Sequence, residues 1–171
     1  LNQGDTIFYF TTCGWMMWNW LVSSLAVGAT IVLYDGSPLY PDSGAMWKMA
    51  QDLGINVFGT SAKFIDTCNA ASLMPNQDYD LSQLRAILST GSPLVEENFD
   101  YVYHAIKNDV LLSSISGGTD LISCFALGNP TLPVVRGELQ CRGLGMNVQS
   151  YDQQGRSVTN KKGELVCTKA F

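Results

Sequence analysis

Five short runs of apolar and β-branched residues, Thr6–Thr11, Ala29–Tyr34, Ile55–Phe58, Leu84–Leu88 and Val110–Ser113, alternate with segments of helical length. Such runs, bounded by Gly, Pro, Asp and Ser, read as buried strands. The segments between them are long enough for right-handed crossovers, which tight antiparallel hairpins do not need. The alternation predicts an α/β fold, a mainly parallel sheet with flanking helices.

The intervening segments carry helix signals. Trp15 to Val27 is apolar around most of its circumference and predicts a helix buried between layers, closed by Gly28. Asp42 is a cap for a helix over Ser43–Leu53, where Ala45, Met46, Met49, Ala50 and Leu53 recur at three- and four-residue spacing before Gly54. Gly59 bounds the third strand, and Ser61 caps a helix through Ala62, Phe64, Ile65 and Cys68. Pro75 to Asp80 reads as a surface loop, and Val95 to Lys107 as the last crossover helix.

Beyond Asp120 the texture changes: Asn129-Pro130 and Leu132-Pro133 interrupt regular structure, and after Arg136 come short β-like runs at Glu138–Cys141, Met146–Tyr151 and Gly163–Cys167, with Asp152–Gly155 as a hairpin turn. Residues 1–130 are therefore expected to form an α/β subdomain and 131–171 a smaller, antiparallel, partial barrel-like unit.

Charge and cysteine usage narrow the function. A net charge of −5 argues against broad nucleic-acid binding, yet leaves room for an anionic small molecule held by local amides and a metal ion. The longest apolar segment is interrupted by Asn19, Ser23 and Ser24 and is shorter than the roughly 20 residues of a spanning helix, so no membrane span is expected. Cys13, Cys68, Cys124, Cys141 and Cys167 are scattered, with no Cys-x-x-Cys pair, which suggests neither zinc nor a disulfide framework. They read as reduced thiols of a cytoplasmic protein. The chain opens at Leu1 without Met and closes directly after a strand-like run, as an excerpt of a longer protein would.

Several site patterns are missing. There is no G-x-x-x-x-G-K-[ST], no G-x-S-x-G, and Gly143-Leu144-Gly145 opens no dinucleotide fingerprint. The single histidine, His104, sits among helical residues and reads as structural. Trp15, Trp18 and Trp20 read as core, because no basic residues accompany them. Glu96-Glu97 reads as the first turn of a helix. What remains is two loops of small residues, Ser89–Pro93 and Ser116-Gly117-Gly118-Thr119-Asp120, each following a strand. Loops leaving the carboxyl ends of parallel strands form the ligand crevice of open α/β sheets. Amides and Thr119 suit a phosphate there, and Asp120 suits Mg²⁺.

Gly14-Trp15, Gly28-Ala29-Thr30, Ser89-Thr90-Gly91-Ser92-Pro93, Gly117-Gly118-Thr119-Asp120 and Gly163-Glu164-Leu165 occur in the order found in the adenylate-forming acyl-CoA synthetases, which the whole chain resembles. The resemblance implies a two-step ligase taking ATP, a carboxylic acid and coenzyme A. It lays Gly91, Ser92 and Pro93 along the adenine, with Ser116 and Gly118 also at the nucleotide. It puts Thr119 on the α-phosphate and Asp120 where the family has its Mg²⁺-binding acid, usually Glu; these two form the catalytic pair.

Two departures carry information. Ser116 stands where many relatives have an aromatic residue, and Gly117 where acetyl-specific relatives have a Trp that closes the acyl pocket. Glycine implies an acid longer than acetate, acetoacetate or a similar short oxo or hydroxy acid. The family's phosphate loop belongs upstream of Leu1, and its ribose-binding Asp and catalytic Lys downstream of Phe171, so these residues alone are not expected to complete the reaction. An adenylation domain loading a carrier-protein thiol, and a non-catalytic nucleotide-binding module, remain open alternatives.

Overall fold

A computed structural model describes residues 1–171. The chain runs through β1 (Thr6–Tyr9), α1 (Met17–Ser23), β2 (Thr30–Val32), α2 (Ala45–Asp52), β3 (Val57–Ser61), α3 (Ala62–Ala70), α4 (Pro75–Asp78), β4 (Ala86–Thr90), α5 (Glu96–Tyr101) and β5 (Leu111–Ser114). The strands form one parallel sheet in the order β2-β1-β3-β4-β5. This is the order of a doubly wound sheet, as the alternation of runs required.

Side chains along each strand alternate between the two faces. Phe8, Phe58, Ile87 and Leu112 are in register and face the large core, which Met46, Trp47, Phe64, Ile65 and Phe99 complete from α2, α3 and α5. Trp47 stacks on Phe58 with ring centroids 4.9 Å apart, and Phe8 lies 5.1 Å from the same ring. Each of these fully buried side chains contributes about 1.5–3 kcal/mol of transfer free energy. The other face carries Ile7, Tyr9 and Val57 against Met17 and Leu21 of α1.

That second face holds one helix only. A groove of about 780 Å³ opens beside α1, floored by Val57, Ala86, Leu88 and Leu111. After β5 the chain enters a hairpin. The α1 segment is not buried all round. Asn19 and Ser23 are exposed, and the 3-10 turn Ser24–Val27 that continues it leaves Leu25 and Val27 about half exposed.

Other local expectations are revised. Gly59 does not end β3 but lies inside it, because the Tyr9 ring of β1 crosses that spot; a Cβ at 59 would sit 2.2 Å from Tyr9 Cδ2. Pro75 starts the short helix α4 instead of a loop, its missing N–H costing nothing at the first helical position. The last crossover begins as α5 and widens into a π-helix over Val102–Ile106. Ser61 caps α3 as expected, accepting the Phe64 N–H at 3.1 Å.

At the carboxyl ends of the strands the row that continues Phe58, Ile87 and Leu112 turns polar: Thr60, Ser89 and Ser114 stand in register and are all buried. The Ser89 hydroxyl has no hydrogen-bond partner.

Two antiparallel sheets follow. β6 (Ser116–Gly118), β7 (Ser123–Leu127) and β8 (Cys141–Arg142) pair as β6-β7-β8, and β9 (Val148–Tyr151), β10 (Ser157–Val158) and β11 (Glu164–Cys167) as β10-β9-β11. Asp152 closes the β9–β10 turn by accepting the Gln154 and Arg156 N–H groups, each at 2.9 Å. Antiparallel pairing begins at Ser116, and β7 and β8 pair across position 130. No helix is long and apolar enough to cross a membrane.

Candidate active site

β4 and β5 end side by side, and their continuations shape one cavity. Thr90 is the last residue of β4; its hydroxyl donates to the Ile115 carbonyl at 3.4 Å, while the Ile115 N–H donates to Ser89 O at 2.9 Å. Gly91, at φ 89°, then turns the chain through Ser92 and Pro93 toward α5. On the other side β5 passes through Ile115 into the β6–β7 hairpin, which is anchored to the sheet by the Gly128 N–H donating to Ser113 Oγ at 2.8 Å.

The cavity between these segments measures about 590 Å³. It brings together Gly91, Ser92, Pro93, Ser116, Gly117, Gly118 and Thr119, the two loops singled out by sequence. Asp120 is not part of the lining; it lies next to Thr119 on the exposed hairpin turn, outside every ion pair. Two further wall segments complete the cavity: Trp15, Met16 and Met17 from the start of α1, and Gly137, Glu138 and Leu139. Trp15 is thus both core and wall, its ring edge-on to Tyr9 at 6.2 Å.

Absence of a contribution from the β3–α3 connection is explained by its length. Ser61 is both the last residue of β3 and the cap of α3, so no loop is left to form a wall. The crevice is built instead from the loops after β1, β4 and β5 together with Gly137–Leu139.

The Ser116–Asp120 segment is a strand and turn, not a free loop. Its register with β7 shifts between Ser116 and Gly117, where Ala126 and then Cys124 are the partners, so Phe125 is the extra residue of a bulge. β7 consequently runs close beneath Gly117: a Cβ there would lie 2.5 Å from the Ser123 carbonyl oxygen and 3.4 Å from Cys124 Sγ. A Cβ on Gly118 would meet nothing nearer than Leu121 Cδ2 at 3.7 Å. Gly117→Ala is expected to destabilise the chain by about 1–3 kcal/mol, and Gly118→Ala by less than half of that, both read from urea midpoints. Equal midpoints for the two variants would remove the close approach as the reason for glycine at 117.

The electrostatics offer no activated nucleophile. Burial pushes the Cys124 thiol up to about 11, so it stays protonated at neutral pH. His104 is exposed on the π-helix, distant in sequence from both loops. No grouping of three or more His, Cys, Asp or Glu residues exists to hold a metal by protein ligands alone. Asp120 is a single hard-oxygen donor. That fits Mg²⁺ brought in with a nucleotide, since this ion is usually held by one or two carboxylates plus substrate phosphates.

Sequence reasoning did not single out Met16, Met17 or Gly137–Leu139 as wall residues. The Met pair was masked by its apolar surroundings. The other segment offered only a glycine, Gly137, which the structure places at φ 78°.

A doubly wound sheet with small-residue loops at its carboxyl ends defines a nucleotide-type crevice, and the AMP-binding enzyme family model matches residues 1–170. The chain belongs to that family. It is 57% identical over 171 residues, the whole chain, to acetoacetyl-coenzyme A synthetase of Rhizobium meliloti (strain 1021), of which it covers 26%. Over 169 residues, 99% of the chain and 25% of the relative, it is 54% identical to acetoacetyl-CoA synthetase of Danio rerio. The solved acetoacetyl-CoA synthetase from Streptomyces lividans superimposes with a TM-score of 0.91 at 47% identity, covering 98% of this chain and 26% of that one. The chain thus spans about a quarter of the length of the relatives it matches.

Proposed function

We propose that the chain is part of an ATP-dependent acid-thiol ligase that activates acetoacetate, or a similar short acid, and transfers it to coenzyme A. The observation that carries this reading is the single cavity into which both small-residue loops open. The similarity to acetoacetyl-CoA synthetases over the whole chain supports the choice of acid.

In this reading the substrate carboxylate attacks the α-phosphorus of ATP, the bond to pyrophosphate breaks, and an acyl-adenylate forms. The thiol of coenzyme A then attacks the acyl carbon and AMP leaves. Catalysis of this type is positioning and charge stabilisation, so the lack of a side-chain nucleophile is no obstacle. Gly91, Ser92 and Pro93 lie along the adenine, with Ser116 and Gly118 beside them. Thr119 donates its hydroxyl to the α-phosphate, and Gly117 leaves the acyl pocket open. Asp120 holds Mg²⁺, which when bound neutralises charge on the phosphates. We assign the ligase to the cytoplasm, in keeping with five free cysteines.

The complete open reading frame, supplied with MgATP, coenzyme A and acetoacetate, is expected to release AMP in an acid-dependent manner, with acetate a poorer substrate. No acid-dependent AMP would remove the ligase reading, and transfer to a carrier-protein thiol in place of coenzyme A would convert it to the loading enzyme.

A further inference from the structure

One wall of the cavity is not hydrogen-bonded to the sheet but clamped to a helix by charge. Gly137–Leu139 follow Arg136, whose Nε lies 3.0 and 2.9 Å from the two Asp100 carboxylate oxygens and whose Nη1 pairs with Glu96. Glu96 and Asp100 are one turn apart on α5 and present their carboxylates together. α5 starts just after Leu94, so Arg136 links the Gly91–Leu94 wall to the Gly137–Leu139 wall.

The contact is close. A Cβ on Gly137 would lie 2.8 Å from Glu96 Cγ. The rest of the connection is rigid within itself through Gln140, whose Nε2 donates to the carbonyls of Asn129, Leu132 and Pro133 at 3.0–3.2 Å and whose Oε1 accepts the Asn129 N–H at 2.9 Å. Gln140 thus ties the far end of the connection, and Arg136 fastens the end next to Gly137. Half-exposed ion pairs contribute little to global stability and weaken with salt.

We propose that Arg136 is a positioning residue which, through Glu96 and Asp100, holds Gly137–Leu139 at the spacing that a bound nucleotide requires. The inference rests on the nucleotide-binding reading above. In the complete ligase, R136A is expected to raise the KM for ATP about three- to tenfold with kcat within about twofold, the pattern of lost binding common to ground and transition states. R136K is expected to recover part of the loss, because an ammonium cannot reproduce the two-pronged guanidinium contact.

The charge-swapped pair R136D/D100R is expected to restore more activity than either single change. Added KCl is expected to raise the KM for ATP by a larger factor in the wild type than in R136A, because only the wild type has the Arg136 ion pairs to screen. D100N, which keeps the side-chain size, provides the same readout should R136A fold poorly. A wild type that releases no acid-dependent AMP removes the proposed function and this inference with it. An active wild type whose R136A and D100N variants keep their KM for ATP, or lose kcat alone, removes only the inference.

Discussion

Phe58→Ala is expected to cost about 3–5 kcal/mol of folding stability, the range for a large aromatic side chain deleted from a packed core. Phe58 is fully buried on β3, stacked on Trp47 and in contact with the Phe8 and Phe64 rings at 5.1 and 6.3 Å. No neighbour can collapse into the space, because Trp47 and Phe8 are themselves fully buried and held by α2 and β1. Set against the roughly 5–15 kcal/mol typical of a domain, the loss is a large fraction of the folding free energy. Urea denaturation followed by tryptophan fluorescence measures it. Tyr40→Ala, at a ring 75% exposed, serves as the comparison and is expected to change stability by less than about 0.5 kcal/mol. A Phe58→Ala midpoint close to that of Tyr40→Ala would mean that this aromatic cluster does not carry the core.

Asp120→Asn has the opposite profile. The side chain is exposed on the hairpin turn and makes no ion pair, so folding stability is expected to change by less than about 0.5 kcal/mol. In the complete ligase, acid-dependent AMP release is expected to fall about 100- to 1000-fold, as when one preorganised charge-stabilising group is lost. The substitution removes a charge and keeps the shape, so the loss would test the metal role proposed for Asp120, not packing. Asp120→Glu retains the hard-oxygen donor and is expected to keep most of the activity. Full activity in Asp120→Asn at limiting Mg²⁺ would exclude Asp120 as the metal-binding acid.

Much of the parallel sheet was legible in the sequence, because each buried strand is a run of apolar residues flanked by breakers. Ile7-Phe8-Tyr9 and Ile87-Leu88 could be read in that way, as could Ser61 as a cap. The two site loops were legible for a related reason: small residues directly after a buried run leave backbone exposed at the end of a strand. What was hidden depends on contacts between distant segments. Gly59 resembles a strand end until the Tyr9 ring is seen lying across it. Gly117 resembles turn punctuation, yet it pairs across a bulge with Cys124. Likewise, Glu96 fitted the first turn of a helix and does occupy it, while its partner Arg136 lies 40 positions away. Of the helix expected from Trp15 onward, Met17 and Leu21 are buried while Asn19 and Ser23 are exposed, a distinction that apolar composition alone does not make.

Gly117 now has two reasons to be glycine. The resemblance assigns it the width of the acyl pocket, and the hairpin adds that any side chain there must displace the Ser123 carbonyl. A change of acid preference on substitution at this position would therefore combine a narrower pocket with a shifted hairpin. Gly118→Ala, in the same strand but with free space, separates the two contributions.

The polar row of Thr60, Ser89 and Ser114 bears on how the molecule breathes. Toward the amino ends of the same strands, aromatic and aliphatic side chains lock the sheet to α2, α3 and α5. At the hydroxyl row that grip is replaced by short side chains, one of them without a partner. Local opening costs least where buried apolar contacts are fewest. The amides of the hydroxyl row, from which the loops around the cavity leave, are thus expected to exchange hydrogen faster than those of Phe58, Ile87 and Leu112.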